Sequence, residues 1–66
     1  MGPTENEIMD EVAINLSPVE VRDWFKSADA ALRNMVVSCY YRHGIDSTVR
    51  EVKQLYDVGI ALSDYP

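Results

Sequence analysis

The spacing of apolar residues along the chain predicts three helices. Between residues 18 and 43 apolar side chains recur every three or four positions, which is the period of one face of an α-helix. The same period continues from about 47 to 62, and a shorter version runs from about 5 to 15. We therefore expect an all-α fold in which 1–66 is a single helical domain and residues 1–4 are disordered.

Residues that favour helix ends support these limits. Residues 17–20 read Ser-Pro-Val-Glu, which would place an N-cap serine, a proline at the first helical position and the glutamate of a capping box. Thr4 and Glu7 have the same capping-box spacing. Gly44 can take the left-handed conformation that closes a helix. Because a helix over 18–43 is long for a small domain, a break near residues 26–29 is compatible with the pattern.

The connection after Gly44 predicts a helical hairpin. Asp46, Ser47 and Thr48 are all cap-forming residues, and Thr48 has capping-box spacing to Glu51. The connection would then be three or four residues long, and connections that short make two helices antiparallel neighbours.

The two longer predicted helices carry more apolar surface than one neighbour can cover. A helix packed on a single partner buries a stripe of about 100°. The predicted core or dimer seam consists of Trp24, Phe25, Leu32, Met35, Val52, Leu55, Tyr56 and Gly59. A second group of residues on the 18–43 helix, predicted to contact a partner protein, consists of Ala30, Asn34, Val37, Ser38, Tyr41 and Arg42. The excess predicts that either the first helix or a second chain covers it.

The small size of the chain favours self-association. A core built from 66 residues supplies little stability unless a disulfide, a metal or a second subunit supports it. Cys39 is the only cysteine, and with His43 it leaves too few soft ligands for a structural zinc site. We therefore expect a homodimer with no cofactor and no metal. The lone cysteine, the lack of a signal peptide and the lack of a long apolar run favour a cytoplasmic protein without a membrane segment.

The negative charge lies at the N-terminal end. Residues 1–23 hold six carboxylates and Arg22, which gives −5, whereas residues 24–66 hold five acids and five bases. An acid excess disfavours nucleic acid as a partner and favours a basic protein surface, although acids also serve solubility alone.

Catalytic chemistry is not indicated. Cys39 and His43 are four residues apart on one predicted helix face, but Cys39 lies in the core stripe, where thiols are usually inert. The sequence therefore predicts a protein that is not an enzyme. It favours a small acidic modulator, an inhibitor or anti-activator that masks a surface, such as the basic DNA-binding surface of a transcription regulator.

Two alternatives remain open. The hairpin has the size of a helix-turn-helix unit, and the last helix offers Arg50, Lys53 and Gln54, but acids accompany them. In addition, the stretch 32–35, Gly44, Gln54 and Asp57 resembles in part the small sporulation-type aspartyl-phosphate phosphatases. Those are helical hairpins with a Ser-Gln-Glu-Leu-Asp motif on the second helix. Residues 53–57 read Lys-Gln-Leu-Tyr-Asp, so only the Gln and the Asp match, and the resemblance implies an activity that depends on Asp57.

Overall fold

The computed structural model describes the backbone of residues 2–63 and the side chains of residues 2–59. It contains three helices, α1 (Glu5–Ile14), α2 (Val19–Lys26) and α3 (Ala30–Ser63), and no strand within the described part. The predicted all-α class is therefore confirmed. Met1 and residues 64–66, at the ends of the predicted 1–66 domain, lie outside the described residues.

Helix α1 begins with the capping box that the sequence predicts. The Thr4 hydroxyl accepts a hydrogen bond from the Glu7 backbone N–H at 3.2 Å, and the Glu7 carboxylate accepts one from the Thr4 backbone N–H at 3.2 Å. These bonds satisfy two of the donors that a helix leaves unpaired at its start. Thr4 therefore has a defined structure, as does Pro3, whose carbonyl accepts a hydrogen bond from Tyr41. Residues 3 and 4, which were expected to be disordered, thus make hydrogen bonds to α1 and α3.

The predicted capping box at the start of α2 is also wrong. Helix α2 begins at Val19, one residue later than expected, and its N-cap is Pro18, which has no side-chain capping bond. The Pro18 backbone is extended, with ψ −178°, so the proline precedes the helix and Ser17 lies too far back to cap it. The Ser17–Pro18 peptide bond is cis.

The predicted single helix over 18–43 is divided at residues 27–29. Ser27 has left the helical conformation, and its hydroxyl donates to the Trp24 carbonyl at 2.9 Å. Asp29 then starts a new helix, because its carboxylate accepts a hydrogen bond from the Leu32 backbone N–H at 2.9 Å. Two side chains that bond the backbone locally thus end one helix and begin the next, at the place where the sequence allowed a break.

Helix α3 has one interruption, at Gly44, where φ is 84° and ψ is −178°. This conformation is essentially restricted to glycine, and the helix axis changes direction there. Helical backbone resumes at Ile45, so the predicted connection of three or four residues is wrong. The predicted capping box at Thr48 is wrong as well, because Thr48 is fully buried and its hydroxyl donates to the Gly44 carbonyl at 2.8 Å.

The core lies where α1 and α2 pack on α3. Its buried apolar side chains come from both sides of Gly44 and from both shorter helices. They are Ile8, Met9, Val12, Leu16, Val21, Phe25, Val36 and Val52. Helix α1 therefore covers part of the apolar surface that the sequence assigned to α1 or a second chain.

Candidate protein-binding surfaces

Three depressions follow one another along the two parts of α3, and we call them together the open groove. The first is lined by Trp24, Leu32 and Leu55, among others, and the second by Met35 and Cys39 together with polar residues. The third shares Cys39 with the second. No residue of α1 lines any of the three.

Charged side chains lie at the two ends of the open groove. Asp29 lines the first depression, whereas Arg42 and His43 line the second, and Arg50 lines the third. Glu51 lies in both the second and the third. With His43 neutral, the two acids and two arginines of the groove sum to zero charge.

The opposite side of the molecule carries the outward face of α1. Glu7, Asp10, Glu11 and Ile14 follow the i, i+3, i+4, i+7 spacing that places residues on one side of a helix, and all four are exposed. We call these four residues the acidic stripe. Ile14, at the end of this stripe, is 73% exposed and lines a shallow depression with Asp10, Arg22 and Lys26.

Helix α1 is tied to α3 by polar contacts near its start. The Arg33 guanidinium pairs with the Glu5 carboxylate at 2.9 Å and also donates to the Asn6 side chain at 3.1 Å. This is the only ion pair among the side chains of residues 2–59. The carboxylates of the acidic stripe therefore form no ion pair with another side chain of residues 2–59.

A tyrosine pair lies beside α1. The Tyr41 hydroxyl donates to the Pro3 carbonyl at 3.0 Å, and the Tyr41 ring meets the Tyr40 ring edge-on, with centroids 5.8 Å apart. The Glu11 carboxylate raises the pKa of the Tyr40 phenol, because a negative charge nearby disfavours the tyrosinate. Tyr41 nevertheless remains 61% exposed.

The six residues predicted to contact a partner lie on a broad arc of α3 and differ in exposure. Val37 is partly buried against the core, whereas the other five are exposed. Ser38 and Arg42 line the open groove, and Tyr41 lies on the side of α1. The exposed members of this predicted face are Ala30, Asn34, Ser38, Tyr41 and Arg42.

The residues of the predicted core or dimer seam are buried, half-buried or exposed. Phe25 and Val52 are buried in the core. Trp24, which lines the groove, meets Tyr56 edge-on at a centroid distance of 5.3 Å. Gly59 is exposed, and a Cβ built on it meets nothing within 4 Å. The remaining three residues of the prediction, Leu32, Met35 and Leu55, line the open groove.

The residues behind the other chemical hypotheses are also visible. Cys39 is half-buried and lines two depressions together with His43. Gln54 and Asp57, which carry the phosphatase resemblance, are exposed. Within the described part of the chain no three His, Cys, Asp or Glu side chains converge as a metal site would require. No helix among residues 2–63 is long and apolar enough to cross a membrane.

Sequence reasoning missed one residue that shapes the acidic side of the molecule. Arg22 donates from Nε to the Ala13 carbonyl at 2.9 Å, and from Nη2 to the Ile14 and Leu16 carbonyls at 3.3 Å each. Its guanidinium therefore satisfies the carbonyls at the end of α1, where no glycine cap is present. The only signal in the sequence was that Arg22 is the sole base among residues 1–23.

Comparison of the chain with protein families, with curated proteins and with solved structures finds no match.

Proposed function

We propose that the protein is a small, non-catalytic modulator that binds a basic surface of a regulatory protein in the cytoplasm. A DNA-binding surface of a transcription regulator has the required positive charge, so binding there would act as inhibition or anti-activation. The observation that carries the proposal is the acidic stripe, whose carboxylates form no ion pair with another side chain of residues 2–59 and which ends at the exposed Ile14.

The stripe combines the two features that a specific protein contact needs. The carboxylates of Glu7, Asp10 and Glu11 would attract a basic partner and raise its association rate. Ile14, at the end of the stripe, would supply apolar contact area, which contributes much of the binding energy of a protein interface. The exposed predicted face of α3 meets this side of the molecule at Tyr41 and forms a second contact region in the proposal.

The arrangement of the two parts of α3 and the oligomeric state are also part of the proposal. We infer that the two parts of α3 form an antiparallel hairpin and that the protein is a homodimer. Leu32 and Leu55 line one depression, although an uninterrupted helix would hold them about 35 Å apart. Sedimentation equilibrium at micromolar concentration should then give about twice the chain mass of 7.5 kDa.

Affinity capture with matched charge reversals tests the function. Asp10→Lys with Glu11→Lys alters the acidic stripe, whereas Glu20→Lys with Asp23→Lys makes the same charge change on exposed positions of α2. We expect the first pair to abolish capture of the partner and the second pair to retain it. Tyr41→Ala tests the second contact region in the same assay.

The captured partner then allows a direct test of inhibition. If it is a DNA-binding regulator, adding the protein should reduce its shift of a duplex in a gel, and Ile14→Ala should weaken that reduction. Equal capture by both charge-reversal pairs, or a partner whose activity is unchanged by the wild-type protein, would contradict the proposal.

A further inference from the structure

The open groove is the apolar surface that the fold leaves on the side away from α1. Trp24, Leu32 and Met35 are only partly buried there, and Leu55 is 39% exposed. Helix α1 packs on the other side of α3, where its Glu5 meets Arg33 and the preceding Pro3 accepts a hydrogen bond from Tyr41. The groove residues pack against the core on one side, and the apolar surface that they still expose is not covered by α1.

The charge of the groove fits a second copy of the chain. Each copy carries −5, so two copies repel each other over most orientations. Helix α1 has four acids and no base, whereas the groove charges sum to zero. Two identical chains can meet through the groove without bringing their acidic helices together.

The order of charges along the groove selects one relative orientation. Asp29 lies at one end and Arg42 at the other, about 20 Å apart along the helical rise, with Met35 midway between them. A two-fold axis across the groove at Met35 reverses the direction of the second copy. Asp29 of each copy then faces Arg42 of the other, and the contact occurs twice because a two-fold interface is self-complementary.

We propose that the open groove is the homodimer seam, filled by a second copy in antiparallel orientation, with Met35 at its centre, Leu55 in the depression at the Asp29 end, and Asp29 facing the second copy's Arg42 at each end. This inference rests on the homodimer proposed above and assigns its interface. The acidic stripes then point outward on both copies, so one dimer presents two partner-binding surfaces.

The apolar contact of the seam is tested by sedimentation equilibrium of two matched variants. Leu55→Lys places a charge in the seam, and Ile14→Lys makes the same change at an exposed isoleucine of α1. We expect Leu55→Lys to raise the dimer dissociation constant at least about tenfold and Ile14→Lys to change it less than about twofold. Helical circular dichroism should be retained in both.

The orientation is tested by charge reversal and mixing. Asp29→Arg and Arg42→Asp should each weaken the homodimer, because like charges then face each other twice. An equimolar mixture of the two variants should form a heterodimer, in which both facing pairs have opposite charges again. Asp29→Arg also removes the α3 cap, but a lost cap cannot be restored by adding the other variant.

The outcomes separate this inference from the proposed function. A wild-type chain that is monomeric at tens of micromolar overturns the homodimer and the seam with it, while capture through the acidic stripe is measured independently. A dimer that persists unchanged in Leu55→Lys overturns the groove as the seam and leaves the homodimer standing. Variants that fail to recover in the mixture overturn the antiparallel orientation.

Discussion

The two sides of α3 are similarly apolar in sequence but differ in how they are covered. On the α1 side, Val36 is fully buried with Ile8 and Val12, and Arg33 fixes the start of α1 through Glu5. On the groove side, Leu32 and Met35 are only half-buried. The spacing of apolar residues on a helix thus indicates how much apolar surface the helix must bury. Which side of the helix is buried by the chain itself depends on where a distant segment, here α1, packs.

The largest expected effect on stability comes from a residue buried between α1 and α3. Ile8→Ala removes a fully buried side chain and should destabilise the fold by about 2–5 kcal/mol, through lost burial and the cavity left behind. Urea unfolding followed by circular dichroism measures it. Ile14→Ala, in the same helix but at an exposed site, is the matched control and should change stability by less than about 0.5 kcal/mol. Equal losses of stability in Ile8→Ala and Ile14→Ala would contradict the distinction between the buried and the exposed side of α1.

The junction between the two parts of α3 should give the next largest effect. Gly44→Ala forces a side chain into a backbone conformation with φ 84°, which should cost about 1–3 kcal/mol. Gly59→Ala is the control, because its added Cβ meets no neighbour and the change raises helix propensity by about 1 kcal/mol. Thermal unfolding of both should move in opposite directions. A Gly44→Ala variant as stable as wild type would mean that the backbone at this position relaxes freely.

The contribution of the capping box to the stability of α1 is tested at Thr4. Thr4→Ala removes the hydroxyl that accepts the Glu7 N–H and should cost about 1 kcal/mol. Thr4→Ser keeps an accepting hydroxyl and should lose little. Amide hydrogen exchange should show faster exchange in α1 for the alanine variant alone. The absence of any difference between the two variants would mean that packing of Ile8 and Met9 by itself holds this end of the helix.

The smallest expected effect concerns the ionisation of Tyr40, which lies next to α1. Glu11→Gln removes the charge that raises the pKa of Tyr40, so the phenol should titrate closer to its ordinary value of 10.0. The folded protein disfavours the tyrosinate, so the neutral phenol of Tyr40 contributes to stability at pH values below its ordinary pKa. That contribution to stability is lost as pH rises through the raised pKa of the folded state. An NMR titration of the Tyr40 ring measures the shift. Glu7→Gln is the control, and an unchanged Tyr40 in Glu11→Gln would contradict the assignment.

The parts of the fold that depend on neighbouring residues were predictable from sequence. Helix α1 was predicted to within one residue at its end, because Thr4 and Glu7 satisfy each other locally. The interruption of the helix at Gly44 was also predicted, but helical backbone resumes immediately after it. Thr48 looked like a cap in sequence and is instead a buried residue inside the helix, since its hydroxyl can bond a carbonyl one turn earlier.

The candidate surfaces were less predictable, because they depend on contacts between distant residues. The acid excess of residues 1–23 was evident, but the outward direction of the acidic stripe follows only once Ile8 and Val12 are seen to face the core. Likewise, Val37 and Leu32 belong to opposite sides of one helix, and only the position of α1 makes the first half-covered and leaves the second on the groove.

The single-residue junction at Gly44 has a mechanical consequence. Gly44 is the one residue of α3 with a non-helical backbone, and Thr48 bonds back to its carbonyl, so the connection between the two parts has no spare length. Any change in the angle between the two parts must therefore come from the φ and ψ angles of Gly44 or from unwinding of an adjacent turn. A partner bound in the proposed way would meet helices that are already formed, with little backbone ordering left to complete on contact.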